Sequence, residues 1–278
     1  MAGIQISRQG MHRIVVCLLT AMGLLICEAD MVQAASDDGV GDLAGARTVR
    51  LYTEDFPPFN FWAGERLKGV GADIIHEMAR LLDHDGAVEI LPWKRVMMAV
   101  RENPYTAAFS TVRIPEREEE FKWVGPIATV QTWLYQSYDS PFHLVTIEDA
   151  RKVNALGVQA GGAAERSLTQ MGFDNLSALH NPDNALRLLL AGRIDAWEAA
   201  DAVFKYQLDE LGVDAKQVRP TVNLGKYELY LAFSPQTPDE AILPWQHALE
   251  QLHASGMFGA IQRRYGLTPV MSHLEITD

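Results

Sequence analysis

Cysteine is nearly absent from this chain. Of its 278 residues only Cys17 and Cys27 are cysteine, and both lie inside or just after an N-terminal apolar stretch. Beyond that stretch there is no disulfide, no thiol nucleophile and no cysteine metal site to expect. Positive charge is scarce as well. The 24 lysines and arginines face 36 aspartates and glutamates, for a formal net charge of −12. No basic stripe offsets that surface, which repels nucleic acid and anionic lipid alike. Long apolar runs are missing too: "IVVCLLTAMGLLI" falls short of the roughly 20 residues a spanning helix needs, and no later segment competes with it. There is no G-x-S-x-G elbow and no H-E-x-x-H zinc helix, and the turn "DHDG" is too short for a calcium loop. Neither a metal nor a cofactor is expected.

What is present begins with a processing signal. Arg8, His12 and Arg13 precede the apolar run, and "VQA" ending at Ala34 offers small residues for cleavage. That order of basic, apolar and small-residue regions reads as a secretory signal peptide over 1–34 and implies export to the periplasm. Ile26 is too bulky to precede a lipid-anchored Cys27. A polar segment, 35–47, follows. The rest, 48% hydrophobic and 22% charged over the whole chain, is ordinary globular composition, long enough for one large domain or two small ones.

From residue 48 the pattern alternates strand and helix. "TVRLYT" (48–53), "AVEIL" (87–91) and "TAAFS" (106–110) read as strands. "ADIIHEMARLL" places Ile74, Met78 and Leu82 on one helical stripe, and Trp93, Met97 and Val100 mark a second helix. This β-α-β-α-β module implies a parallel sheet with right-handed crossovers. The grammar returns with strands at 154–159 and 193–199, a helix through Leu168 and one over "DNALRLLLA". That last helix is capped by Asn181, opened by Pro182 and closed by Gly192. A strand at 227–233 and two helices finish the chain, with Pro244 expected to start or kink the first of them. Two copies of one module suggest two similar α/β lobes. Ligands then belong at the carboxyl ends of the strands, in the loops after Thr53, Ser110, Gln159 and Ala199.

Those loops hold a selective set of residues. Phe56, Phe59 and Trp62 form either an aromatic plug or a stacking platform, with Phe56 nearest the strand end. Trp93 follows the second strand in the same way, although its spacing to Met97 equally suits the core. Ser110 ends the third strand, and Pro115 suits the first residue of a short helix "PEREEEF" whose amides invite an anion. Arg113 and Arg117 bracket that seat. Arginine grips carboxylate through paired hydrogen bonds worth about 1.5–3 kcal/mol. A surface pair between Arg117 and Glu120 is the alternative, worth about 0–1 kcal/mol. Glu198, mid-strand beside Trp197, needs a cation or donor in an apolar setting.

Four stretches in order, "LYTEDFPPFNFWAGERLKGVGADIIHEMARLL", "FSTVRIPEREEEFKWVGPI", "LLLAGRIDAWEAAD" and "MFGAIQRRYG", cover nearly the whole chain beyond the leader. Together they resemble the periplasmic solute-binding proteins of the polar amino-acid type, the soluble receptors of ABC importers. The resemblance implies two α/β lobes joined by two crossing strands and closing on the ligand by a hinge motion. It places lobe one at 48–130 and 225–278 and lobe two at 131–224. It implies that Phe56 is the aromatic after the first strand, Ser110 the small residue ending the third, and Arg117 the grip on the ligand α-carboxylate. Ile114 and Val112 replace hydroxyl residues of that turn, and Arg113 is an extra cation. In lobe two "QAGGAAE" keeps the amides of Gly161 and Gly162 but loses the hydroxyls. The aspartate that holds an α-ammonium falls on Ala200, leaving Asp201, itself suited to a helix N-cap, and Glu198 as alternatives.

The expected ligand is a small carboxylate-bearing solute, an amino acid or relative, passed to the permease of an ABC importer. Two rivals share the fold: an enzyme of the cyclohexadienyl dehydratase type, and a ligand-sensing partner of a sensor kinase or chemoreceptor. No histidine after the leader falls at a strand-end loop beside another catalytic type, so no catalytic residue is assigned; Glu198 is the carboxylate to test for an enzyme role.

Overall fold

The computed structural model describes residues 48–180 and 184–267. The leader with its cleavage site, the polar segment to 47, and the cap residues Asn181 and Pro182 lie outside the described residues. The first half opens with β1 (Arg50–Thr53), a small hairpin of β2 (Phe61–Ala63) and β3 (Arg66–Lys68), and α1 (Val70–Leu81). It continues with β4 (Val88–Ile90), α2 (Trp93–Glu102) and β5 (Thr106–Val112), then a six-residue 3-10 turn, Pro115–Glu120. The long β6 (Lys122–Ser137) leads out of it. The second half contains β7 (Leu156–Gln159), α3 (Ala163–Gln170), β8 (Leu176–Leu179), α4 (Ala185–Leu190), β9 (Ala196–Ala200) and α5 (Asp201–Leu211). The long β10 (Val218–Phe233) returns to the first half, where α6 (Asp239–Ala254) and α7 (Met257–Arg264) end the described chain.

Eight strands form one sheet in the order β4-β1-β5-β10-β6-β9-β7-β8. Its parallel parts lie at the two ends: β1 pairs in parallel with β4 and β5, and β7 with β8 and β9. Between them β6 and β10 pair antiparallel from Val218↔Ser137 to Phe233↔Lys122. The carboxyl-terminal part of β10 pairs with β5, and the corresponding part of β6, Thr132–Tyr135, pairs with β9. Each long strand therefore belongs to one half-sheet at its start and to the other at its end. These are the two crossing strands, and they aim the carboxyl ends of β1, β5, β7 and β9 toward one cleft.

The sequence predicts β6 nowhere and only the end of β10. Gly125 and Pro126 in β6, and Pro220 and Gly225 in β10, read as loop punctuation, because glycine and proline weaken an ordinary central strand. Here they sit in a ladder whose register shifts at Pro220/Val222 and Asn223/Gly225, where bulges absorb them. Pro244 lies inside α6 and does not start it; Pro238 occupies the N-cap.

The α1 stripe behaves as its spacing predicts. Ile74, Ile75 and Met78 are fully buried against the sheet, each side chain contributing about 1.5–3 kcal/mol by leaving water. The C-terminal helices lock the same helix. Tyr265 Oη accepts from the Gly69 amide at 3.0 Å and donates to Asp73 at 2.9 Å, which Arg264 also contacts at 3.0 Å. Gly69 is required there: its φ is +119°, and a Cβ would sit 2.2 Å from the Phe59 carbonyl oxygen.

Ser110 adopts a left-handed φ of +59° within β5. The β5–β10 register slips there, between Tyr230↔Thr111 and Ala232↔Ala108. Left-handed backbone costs a residue with a Cβ about 1–2 kcal/mol, and a β-branched one more. Ser110→Val is therefore expected to destabilise the protein by about 1–2 kcal/mol or more, with Ser110→Gly near neutral. Urea unfolding of the two variants checks the ordering.

Candidate functional site

The cleft is closed in this structure, and polar contacts cross it at four places. Gln159, last residue of β7, donates from Nε2 to both carboxylate oxygens of Glu54 beyond β1, at 2.6 Å each. Arg117 Nη2 donates to the Gly161 carbonyl oxygen at 2.8 Å. Arg166 on α3 pairs with Glu120 at 2.6 Å, and Ser167 donates to Glu116 at 3.0 Å. Glu120 also holds Arg101 of α2, so one carboxylate ties both halves. The Glu54–Gln159 pair escaped the sequence reading, although both residues sit at strand ends already marked for ligands.

Arg117 is only 2% exposed, and its surroundings are unusual for a buried cation. Its guanidinium has carbonyl partners only, Gly161 and, at 3.2 Å, Val112, and its Nε is buried with no partner. Burial, then the neighbouring charges of Arg166 and Arg101, lower its pKa to about 10. It remains a cation at neutral pH, one that gains from any anion brought beside it. A cavity of about 190 Å³ opens against it, with Lys94, Arg101 and Arg166 in the same wall. The surface pair with Glu120 does not form: that carboxylate is taken by Arg101 and Arg166.

Arg113 is committed elsewhere. It forms a two-pronged ion pair with Glu118, its Nε 2.9 Å from Oε2, and lies over the rings of Tyr230 and Trp123 at 5.2 and 5.6 Å. The segment between them is a six-residue 3-10 turn, too short to present the helical N-terminus expected of "PEREEEF". Ser110 also turns away. Its Oγ packs against Gly71, where a Cβ would sit 2.4 Å from it.

Across the cleft the amides of the glycine pair are already used. Gly161 N–H donates to Glu165 at 2.5 Å and Gly162 N–H to the Gln159 carbonyl at 2.9 Å. Asp201 is the exposed first residue of α5 and accepts from the Ala202 amide at 2.7 Å, while Ala200 holds the N-cap position. Trp93 is core, buried with Tyr52, Val96 and Phe121. Phe56 does reach the cleft: stacked on Phe59 with ring centroids 5.2 Å apart, it lines a cavity of about 80 Å³ with Gly162, Glu198 and Ala200.

Glu198 is the acidic counterpart of Arg117. Burial alone raises its pKa from the ordinary 4.5 to about 7, and no ion-pair partner faces it among the described residues. It shares a face of β9 with Ala200, two residues on, because strand side chains alternate. Its side chain lines the 80 Å³ cavity and a second, larger chamber of about 500 Å³. The walls of that chamber include Thr132, Val222, Leu224 and Tyr227 of the long strands, and no sequence signal marked them. Among the described residues no group of three or more His, Cys, Asp or Glu side chains is placed to hold a metal, and no helix is long and apolar enough to cross a membrane.

Comparison with known proteins agrees with the fold. A structure titled as a histidine kinase sensor domain similar to periplasmic binding proteins superposes with a TM-score of 0.71 at 20% identity, covering 81% of this chain and 98% of that one. An ancestral arginine-binding protein bound to arginine gives 0.68 at 20% identity, covering 78% and 97%. The ancestral amino acid-binding protein AncCDT-1, described as a precursor of cyclohexadienyl dehydratase, gives 0.64 at 20% identity, covering 78% and 95%. Such identities establish the two-lobed fold and nothing finer. No curated protein matches in sequence. The family model for bacterial extracellular solute-binding proteins, family 3, matches residues 49–268, and the chain belongs to that family.

Proposed function

We propose that this protein is a periplasmic receptor that closes two lobes, 48–130 with 225–278 and 131–224, on a single amino acid. One observation carries the reading. A buried cation, Arg117, and a half-buried carboxylate, Glu198, lie at the cleft on cavities that adjoin at Gly162, and neither has an ion-pair partner among the described residues. A zwitterion supplies both: its carboxylate to Arg117, which then exchanges the Gly161 carbonyl for a charged partner, and its ammonium to Glu198. Phe56 covers the bound solute. Glu198 takes the ammonium in place of Asp201, whose side chain is exposed at the start of α5. The closed lobes are then read by the permease of an ABC importer.

A sensor partner would read the same closed state, so the exporting leader and the receptor fold support both outlets. A dehydratase reading draws on a single feature, a carboxylate with a pKa of about 7 facing a cavity, as a general acid requires. Product formation from prephenate or arogenate by the purified protein establishes that reading; inert protein that binds amino acids removes it.

Two predictions test the receptor. Calorimetric titration of unfolded and refolded protein with amino acids should show binding that Arg117→Ala weakens about 10- to 150-fold, the worth of the charge-assisted bonds lost. Arg113→Ala, which breaks the pair with Glu118 and the contacts with the Tyr230 and Trp123 rings, should leave affinity unchanged. The reverse pattern moves the anion site to Arg113.

The second prediction concerns pH. Because Glu198 titrates near 7 in the folded protein and near 4.5 otherwise, its neutral form stabilises the ligand-free protein fully below pH 4.5. That contribution is lost as pH rises through about 7. Glu198→Gln should therefore melt higher than native protein at pH 8, by roughly 1–3 kcal/mol of stability, and match it near pH 4. Affinity for the ammonium runs the other way, rising from pH 6 to pH 8 in native protein and staying flat in the variant.

A further inference from the structure

We propose that the 500 Å³ chamber beside Glu198 is a side-chain subsite, and that the solute is an amino acid with a large apolar side chain. This rests on the receptor reading above and assigns its substrate class. The chamber is continuous with the small cleft cavity, since Val112, Thr132, Ala163, Ala164 and Glu198 line both. The smaller space, about 80 Å³, is walled by Glu198 but not by Arg117, which lines the 190 Å³ cavity on the other side of Gly162; the larger chamber has the size of sites that enclose a whole small molecule.

The chamber wall is drawn from every part of the fold. Ile114 comes from the first lobe, Ile147 and Leu168 from the second, and Leu224 and Tyr227 from the crossing strand β10. Glu198 is the one charged side chain on that wall, so no lysine or arginine stands ready for an acidic side chain. A second carboxylate lies just behind it. Glu116 Oε1 accepts from Ser167, a wall residue, and Oε2 is buried with no partner. Glu198 and Glu116 both push up the pKa of the Tyr227 phenol, after burial, which places both charges near the same wall. An acidic side chain is thus repelled, while a basic one is the rival occupant that the lysine titration separates; Val145 and Met171 stand 63% and 46% exposed on the chamber wall, beside the exposed Thr146 and Asn223.

The chemistry points to a homologous series as the test. Refolded protein is titrated with alanine, 2-aminobutyrate, norvaline and norleucine, then with phenylalanine, glutamate and lysine. Each methylene buried in the chamber should tighten binding about fourfold, with glutamate weaker than alanine and lysine weaker than norleucine. Leu224→Trp and Ala164→Phe, which fill the chamber from opposite walls, should flatten the gradient; melting curves confirm that each folds, and the native series decides alone if neither does. A flat or inverted series overturns the proposal, as does preference for lysine or a gradient that survives both variants. In those cases binding of alanine leaves the receptor reading intact. Failure of every amino acid to bind ends the receptor reading and this subsite with it.

Discussion

A buried charge costs several kcal/mol unless a counter-ion or a set of dipoles replaces its water, and two ionisable groups meet that constraint at the cleft: Arg117, fully buried beside a 190 Å³ cavity, and Glu198, half-buried on the two cavities next to it. Arg117 has two backbone carbonyls and an unpartnered Nε; Glu198 has an apolar wall and a pKa near 7. The charges of Glu120 and Glu116 relieve Arg117 only in part, and no ion-pair partner faces Glu198 among the described residues. Glu120 is divided between Arg101 and Arg166, and Glu116 is held by Ser167. The same residues that close the lobes therefore leave the cleft's own charges unsatisfied. The one ion pair that crosses the cleft among the described residues, Arg166 with Glu120, is partly exposed and contributes about 0–1 kcal/mol to closure. On the proposed reading, the solute supplies the remainder.

The sheet explains how so few residues reach across. Because β6 and β10 each pass from one half-sheet to the other, the ends of β1 and β5 meet the ends of β7 and β9 without a long loop. On the proposed reading the lobes change their separation by bending at these two strands, where bulges at Pro220 and near Gly225 interrupt the ladder. The chamber beside Glu198 is walled partly by those strands. An apolar body seated in it touches the hinge itself.

Much of the periodic fold was legible in the sequence: Ile74 and Met78 of the α1 stripe and strands β1, β4, β5 and β7 appear near where their spacing put them, whereas Leu82 caps α1, β9 starts three residues late, and β8 and the β2–β3 hairpin were not foreseen. The crossing strands were not, because Gly125, Pro126 and Pro220 signal a break to any local reading, and only pairing with a distant strand overrides that signal. For the proposed site, the family resemblance pointed to Arg117, and a strand carboxylate beside Trp197 singled out Glu198; the structure shows the first buried and the second on a cavity wall. Composition could not say that Arg113 would be captured by Glu118, five positions on, nor that Asp201 would fall one residue past the N-cap. Those outcomes depend on side-chain directions that emerge only when the turn and strand are built. The chamber was invisible for the same reason, its walls being ordinary strand and helix residues.

Proton release on binding tests the central claim most directly. At pH 6 the ligand-free carboxyl of Glu198 is mostly protonated, with a pKa of about 7, and an ammonium requires it ionised. Calorimetry of phenylalanine binding at pH 6, in buffers of different ionisation enthalpy, should report close to one proton released per solute, falling toward zero by pH 8. Glu198→Gln should release none. Binding heats independent of buffer at pH 6, or the same release in the variant, would contradict the assignment of Glu198 to the solute's ammonium.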